Sequence, residues 1–342
     1  MNRIKFLLSP FSFIYWIVTS VRNTFFELGI LKQYESKIPL ISVGNLSLGG
    51  TGKTPHVAYI SALLSDKKIA VISRGYGRKK SNLIVGDTRL HTSADIGDEP
   101  MELLSKFEGE NFKMLIEGNR KKALQYIEEE FPNTKLVVLD DGFQHRYVKR
   151  NLNLLLTDFN NLFYKDFIVP VGNLRESRNG AKRADAIIVT KCSSSISLEA
   201  REQIKKQLAR YINASVYFSK ITYKGFKNEH GHKINTNKSY LVVTGIAKPS
   251  PIFNYLKKQN INFESLIFSD HHNFSSKDLQ KIVLKSKKSN GIITTEKDWM
   301  RLKETKLKRL NTIEVYRLEI GITFVGEGET NRFEKHITET LN

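Results

Sequence analysis

Short apolar runs, each closed by a glycine or polar turn and followed by a stretch with helical spacing, set the rhythm of this chain. Leu40-Ile41-Ser42-Val43, Ile69-Ala70-Val71-Ile72-Ser73, Leu136-Val137-Val138-Leu139 and Ala186-Ile187-Ile188-Val189-Thr190 are apolar nearly throughout. That is the pattern of strands buried on both faces of a parallel sheet. Leu83-Ile84-Val85 predicts a short edge strand, and Pro100 to Phe107 and Arg120 to Glu130 carry helical spacing. The alternation predicts a doubly wound α/β fold, with ligands at the carboxyl ends of the strands. It resumes after a polar stretch from Tyr223 to Lys238 that has the Asn, His, Lys and Gly content of a linker. There a strand followed by a loop is predicted over Tyr240 to Pro249, a helix over Ile252 to Gln259, a strand over Leu266 to Phe268 and a helix over Ser276 to Lys287. At 342 residues the chain exceeds the usual size of one core, so two α/β domains are expected.

The first residues break the rhythm. Phe6 to Val21 is uncharged, flanked by Arg3, Lys5 and Arg22, and followed by a second apolar patch at Phe25, Phe26, Leu28, Ile30 and Leu31. At about 16 residues it is shorter than the roughly 20 a spanning helix needs, and Pro10 interrupts it. Tyr15, Trp16 and the flanking cations suit a helix lying in a membrane interface, which sets residues 1–30 apart. The alternative is an ordinary helix packed into the core.

Charge narrows the partners. Against 35 Asp and Glu stand 54 Lys and Arg, a formal net charge of +19, which points to anionic partners: nucleotide, nucleic acid or an acidic membrane surface. The basic residues are scattered, without the aromatic interleaving of a base-stacking groove, so nucleic acid is not the expected partner. The single Cys192 excludes an intramolecular disulfide framework.

Candidate chemistry begins where the first strand ends. Ser47-Leu48-Gly49-Gly50-Thr51-Gly52-Lys53-Thr54 lies between an apolar strand and a helix start, as a phosphate-binding loop does. Its glycines turn backbone N–H groups toward phosphate oxygens, Lys53 reaches the β and γ phosphates, and the Thr54 hydroxyl is a Mg²⁺ ligand. Ser47 stands where the consensus loop has glycine. Asp140 and Asp141 follow the strand Leu136–Leu139 on the same sheet edge, where a carboxylate holds Mg²⁺ directly or through water; the same pair also suits a turn before Gly142. A second acidic pair, Asp98-Glu99, enters a helix and by itself reads as a cap.

The motifs Gly49-Gly50-Thr51-Gly52-Lys53-Thr54-Pro55, Ser73-Arg74-Gly75-Tyr76-Gly77, Gly97-Asp98-Glu99-Pro100, Asp140-Asp141-Gly142-Phe143-Gln144-His145, Pro170-Val171-Gly172-Asn173-Leu174-Arg175-Glu176 and Asp270-His271-His272 occur in that order. In this the chain resembles the tetraacyldisaccharide 4'-kinase family of lipid A biosynthesis, from its apolar N-terminus to Thr295-Glu296-Lys297-Asp298. The resemblance implies transfer of the ATP γ-phosphoryl to the 4'-hydroxyl of a tetraacylated disaccharide 1-phosphate. It implies two α/β/α domains joined by a two-stranded linker: a P-loop NTPase-like kinase domain over 31–220 and a smaller α/β domain with the linker over 221–342. It also implies ATP and Mg²⁺ as cofactors, an anionic lipid A precursor as substrate, and a place at the cytoplasmic face of the bacterial inner membrane; a monomer is expected. Lys53 and Thr54 then match the loop lysine and metal ligand, and Asp140 and Asp141 the acidic pair by the metal. Asp98 matches the base, His271 its partner, and Tyr76, Arg120 and Asn173 the acceptor contacts. A carboxylate within hydrogen-bond reach of a sugar hydroxyl accepts its proton as the new P–O bond forms.

Thr190-Lys191-Cys192-Ser193 resembles the guanine-reading motif of GTPases but has Ser193 at the aspartate position, which favours ATP over GTP. For Lys297-Asp298 a core salt bridge is one reading. The rival function is a membrane-associated P-loop switch or transport ATPase without a small-molecule acceptor. Asp98 separates the two, because a kinase needs a base for a hydroxyl where a switch needs only a group that positions water.

Overall fold

The computed structural model describes residues 7–76, 78, 82–107, 109–270, 272–303 and 313–341. It opens with helix α1 (Ser9–Glu27). The first half of the chain then forms β1 (Leu40–Asn45), α2 (Lys53–Leu63), β2 (Ile69–Ser73), β3 (Ile84–Val85), α3 (Ser93–Ile96), α4 (Asp98–Lys106), β4 (Phe112–Ile116), α5 (Arg120–Glu130), β5 (Leu136–Asp140), β6 (Leu152–Asp158), β7 (Ala186–Thr190) and α6 (Leu198–Leu208). The second half adds β8 (Ser215–Asn228), β9 (Ser239–Thr244), α7 (Ser250–Lys258), β10 (Asn262–Ile267), α8 (Ser276–Ser286), β11 (Ile292–Thr295), α9 (Glu296–Lys303), β12 (Val315–Phe324) and α10 (Glu329–Leu341).

Among the described residues the strands make one sheet in the order β10-β9-β11-β12-β8-β7-β6-β1-β5-β2-β4-β3. Pairing is parallel from β7 to β4 and from β10 to β12, so the fold is mixed α/β with a mostly parallel sheet. The apolar runs explain why: Leu40, Ile41, Val43, Val137, Val138, Leu139, Ile187 and Ile188 are all fully buried between helical layers. Val85 pairs antiparallel at the edge, as its short run predicts.

The two halves are joined by a ribbon. Ser215–Phe218 of β8 pairs parallel with β7, and from Ser219 the same strand pairs antiparallel with β12. The stretch expected to be linker from Tyr223 is therefore strand as far as Asn228. Its polar residues are tolerated because β12 satisfies the backbone of a partly exposed ribbon. Phe112–Ile116 and Leu152–Asp158 are also strands, which the apolar pattern did not announce. Asn153 interrupts the second, buried because its amide donates to the Arg183 carbonyl at 2.7 Å.

Helix α1 is not a core element. Of its residues only Thr19 and Phe26 are buried, while Phe11, Phe13, Ile14, Val18, Val21 and Phe25 are exposed. It is held to the first half by polar contacts: Ser12 Oγ donates to the Ile168 carbonyl at 3.1 Å, and Asn23 Nδ2 to Glu176 at 2.8 Å. No described helix is long and apolar enough to cross a membrane.

Candidate active site

The loop after β1 is fixed from below by hydrogen bonds, most of them neutral and one from the Lys191 ammonium. Asn45, at the end of the strand, donates to the Thr51 hydroxyl at 2.9 Å, and Thr190, at the end of β7, donates to the Thr51 carbonyl at 2.8 Å. Lys191 Nζ reaches the Gly50 carbonyl and Asp158. Gly52 caps α2 with φ of 86°, a left-handed turn that favours glycine and leads into the helix start. Lys53 and Thr54 are the first residues of α2, where unsatisfied N–H groups and the helix dipole favour an anion.

His56, one turn into α2, lies just beyond the loop motif and carries no signal in the sequence. It is fully enclosed, with Nδ1 2.7 Å from the Gly52 carbonyl and Nε2 3.0 Å from Ser219 Oγ. Burial pushes its pKa down to about 4, so the ring is neutral at physiological pH. Since the carbonyl only accepts, Nδ1 carries the proton and Nε2 accepts from the serine hydroxyl. The phosphate loop is thereby tied to the residue where β8 changes partners.

Not every predicted loop contact is open to a ligand. The Leu48 N–H donates to the Asn173 carbonyl at 2.7 Å, and the Leu48 side chain is exposed. Asn173 in turn gives its side-chain amide to Asp166 at 3.0 Å. The segment around Asn173 thus braces the loop; Ser47 bridges to Leu174, and the Arg175 N–H donates to the Leu46 carbonyl at 2.7 Å.

The acidic pair divides. Asp141, with φ of 53°, is gripped by Arg175 at 2.9 Å and lies 3.6 Å from Lys53 Nζ. Burial pushes its carboxyl up, but Lys53 and Arg175 outweigh that and hold it below the usual range. Asp140 is 2% exposed; its Oδ2 accepts from Ser73 at 3.1 Å and its Oδ1 has no hydrogen bond. Burial, with the charge of Glu99 added, pushes its pKa up to about 7. A buried carboxylate oxygen without a hydrogen bond among the described residues, at the end of β5 next to β1, whose loop leads to Thr54, is a hard oxygen donor of the kind that suits Mg²⁺. Asp141, committed to two cations, orients Lys53.

Arg120 lies behind Asp140 rather than in the open. It is 2% exposed and donates to the Glu117 carbonyl and, at 3.1 Å, to the Asp140 carbonyl. Burial lowers its pKa to about 10, against the pull of Asp140. Tyr76 is 86% exposed. Of the three residues matched to the acceptor, Tyr76 is thus open to solvent, Arg120 is buried against Asp140 and Asn173 is bonded to Asp166. Lys79 and Lys80 of the neighbouring basic turn lie outside the described residues.

Asp98 opens α4, with Gly97 (φ of 95°) as the cap, so the acidic pair forms the first turn and not the cap itself. Helix α4 touches α2 on one side and α9 of the second half on the other. Across the second contact Arg301 Nε lies 3.6 Å from Asp98, Lys297 3.8 Å from Glu99, and Lys106 2.5 Å from Glu296 and 3.5 Å from Glu102. Burial pushes Glu102 up to about 7, opposed by Lys106. His271 lies outside the described residues. His272 is bound to Asp278 at 3.0 Å within the capping box of α8, its ring stacked on Phe268. No group of three or more His, Cys, Asp or Glu suited to a metal occurs among the described residues.

Asp298, for which a core salt bridge is one reading of the sequence, pairs with Arg301, which the sequence does not single out. Asp298 is fully buried and accepts from Thr244, Thr295 and Arg301. Their spacing of three residues in a helix reads as an ordinary local pair.

Comparison with known proteins shows the family and the fold. A family model described as tetraacyldisaccharide-1-P 4'-kinase matches residues 4–342. A tetraacyldisaccharide 4'-kinase of Flavobacterium psychrophilum is 42% identical over 98% of this chain and 97% of its own length. The one from Parabacteroides distasonis is 41% identical over 100% and 96%. Among solved structures, an LpxK from Aquifex aeolicus in complex with ATP shares the fold with a TM-score of 0.76 at 24% identity, over 99% of this chain and 100% of that one.

Proposed function

The chain belongs to the tetraacyldisaccharide-1-P 4'-kinase family, and from that premise we propose how its own residues carry the reaction. It phosphorylates the 4'-hydroxyl of tetraacyldisaccharide 1-phosphate with ATP, a step of lipid A biosynthesis; the switch or transport ATPase is the disfavoured reading. The match over nearly the whole chain at 42% identity is the observation that carries this.

In the proposed site, the N–H groups at the start of α2 and the Lys53 ammonium hold the β and γ phosphates, and Asp141 with Arg175 aims Lys53. The Thr54 hydroxyl and Asp140 would hold Mg²⁺, which when bound supplies charge neutralisation on the transferring phosphoryl. Asp98 takes the proton of the 4'-hydroxyl, with His271 as its partner. What supports Asp98 is its position: on a helix that touches α2, one residue from Glu99, whose charge reaches Asp140. Tyr76 would meet the incoming acceptor, which its exposure supports, while Arg120 and Asn173 would hold the walls of the site.

The exposed apolar side of α1, with Tyr15 and Trp16 at its middle, lies on the membrane interface and lets acyl chains stay in the bilayer while the sugar enters. The face would be the cytoplasmic one, where ATP is supplied.

The test is to incubate purified protein with Mg·ATP and tetraacyldisaccharide 1-phosphate and follow phosphate onto the lipid. Transfer to the 4' position is expected. ATP hydrolysis that ignores the lipid, with no transfer, would return the switch reading.

A further inference from the structure

Arg301 reaches across the chain's two halves, and its contacts are of three kinds. Its Nη2 donates to the buried Asp298 carboxylate at 2.8 Å, its Nη1 donates to the His272 carbonyl at 3.0 Å, and its Nε lies 3.6 Å from Asp98 Oδ2. We propose that Arg301 is a positioning residue for phosphoryl transfer: its guanidinium aims the Asp98 carboxylate and fixes the loop that carries His272 against it. This rests on Asp98 being the base.

The guanidinium is built in, not draped on a surface. Arg301 is 6% exposed and Asp298 0%. Asp298 is itself fixed where β9 and β11 end, by the hydroxyls of Thr244 at 3.0 Å and Thr295 at 2.8 Å, and its own N–H donates to the Thr295 hydroxyl. The planar fork of arginine then has a set direction, with little freedom left to lose when it meets a second carboxylate. A pair that served only to stabilise the second half would need Asp298 alone. Here the same cation also holds a loop carbonyl and faces a carboxylate on α4 of the first half.

The Nε–H is the arm without a hydrogen bond among the described residues. At 3.6 Å it is an ion pair, still longer than the roughly 2.7–2.9 Å of a charged hydrogen bond. A small approach of α9 toward α4 completes it. Arg301 so couples the orientation of the base to the seating of one half on the other, a geometric condition of the kind that costs large factors in rate when relaxed.

The test uses the full chain and dispersed lipid acceptor, with kcat and KM for ATP measured for Arg301→Gln, Arg301→Lys, Asp98→Ala and the double variant Asp98→Ala/Arg301→Gln. Arg301→Gln is expected to lower kcat by about 30- to 100-fold with KM for ATP within about twofold, and Arg301→Lys by an intermediate factor, because it keeps the charge but not the fork. In the Asp98→Ala background the Arg301→Gln change should cost no more than about twofold, since its partner is gone. A structural role would add its loss there in full. Arg301→Gln within about threefold of wild type, or a loss that persists without Asp98, overturns the proposal. If Arg301→Gln does not fold, Arg301→Lys carries the same cycle, and wild-type kcat or a persisting loss overturns it. Near-normal turnover in Asp98→Ala overturns the base assignment and this inference with it. Loss at Asp98 with none at Arg301 overturns this inference alone.

Discussion

The phosphate loop leads into α2 and the helix that carries Asp98 packs on α2, yet the two regions are held by different means. Around the loop the bonds are mostly short and neutral and come from the first half and the base of the ribbon: Asn45 to Thr51, Thr190 to Thr51, His56 to Gly52 and Ser219. Around Asp98 the partners are charged and come from the second half: Arg301 to Asp98, Lys297 to Glu99, Lys106 to Glu296. Neutral bonds to backbone carbonyls keep a cradle in shape whether or not it is filled. Ion pairs across two elements depend on how those elements are seated, and on the charge state of each partner. In the proposed mechanism the contrast separates nucleotide binding, in the first half, from readiness for proton transfer, at the contact between halves.

The largest effect should come from the cradle. Lys53→Ala removes the ammonium that lies beside Asp141 and is expected to cut kcat by about 10²–10³-fold, while thermal stability stays close to wild type because Arg175 still holds Asp141. Steady-state kinetics with a melting curve checks both. A similar loss from substitution of a residue on α9 together with weaker ATP binding would erase the distinction between the regions.

Next in size is the ionic contact itself. Lys106→Met leaves Glu102 and Glu296 facing each other without their shared cation. Since both carboxylates are buried and only Lys106 is partly exposed, about 1–3 kcal/mol of stability should be lost, read as a lower melting temperature. Turnover should fall with it, and the dissociation constant for ATP should not.

The acidic pair offers a pH test. In the folded protein Asp140 titrates near 7, while in the unfolded chain it does so near the ordinary value of about 4. Between these values the folded state holds the extra proton, so Asp140's contribution to stability is complete below about 4 and is lost as pH rises through about 7. A cation bound there displaces that proton. The rise in melting temperature on adding Mg²⁺ with ATP should therefore be larger at pH 8 than at pH 6. An equal rise at both would place the metal elsewhere.

The smallest effect on chemistry should come from α1. Its hold on the first half is a few contacts, among them Ser12 to Ile168, Asn23 to Glu176 and Arg146 to Glu27. Removing residues 1–22 is expected to release the protein from vesicles of anionic lipid and to leave activity on detergent-dispersed acceptor within about tenfold. Unfolding of the truncated chain would make α1 part of the fold.

How much of this was legible in sequence followed burial. Strands such as Ala186–Thr190 and helices such as Arg120–Glu130 are where the apolar pattern predicts them, because a parallel sheet covered on both faces leaves little choice of residue. The ribbon was not, because Tyr223–Asn228 is half exposed and gains its structure from β12, far along the chain. In the site, the loop residues are contiguous and were readable. Arg301 was not, since its link to Asp98 joins residues far apart in the chain, and its visible neighbour Asp298 reads as a local helix pair. Arg120 carried a clear charge but not its location: the structure buries it behind Asp140 as a support.

The central claim is that the cradle binds nucleotide without the Asp98 corner, and that the corner serves turnover. The most direct measurement is Asp98→Ala, assayed in parallel for ATP dissociation constant and for phosphate transfer to tetraacyldisaccharide 1-phosphate. The account predicts a loss of about 10²–10⁴-fold in kcat with ATP affinity within about twofold of wild type. Equal losses in both, or turnover that survives the substitution, would contradict it.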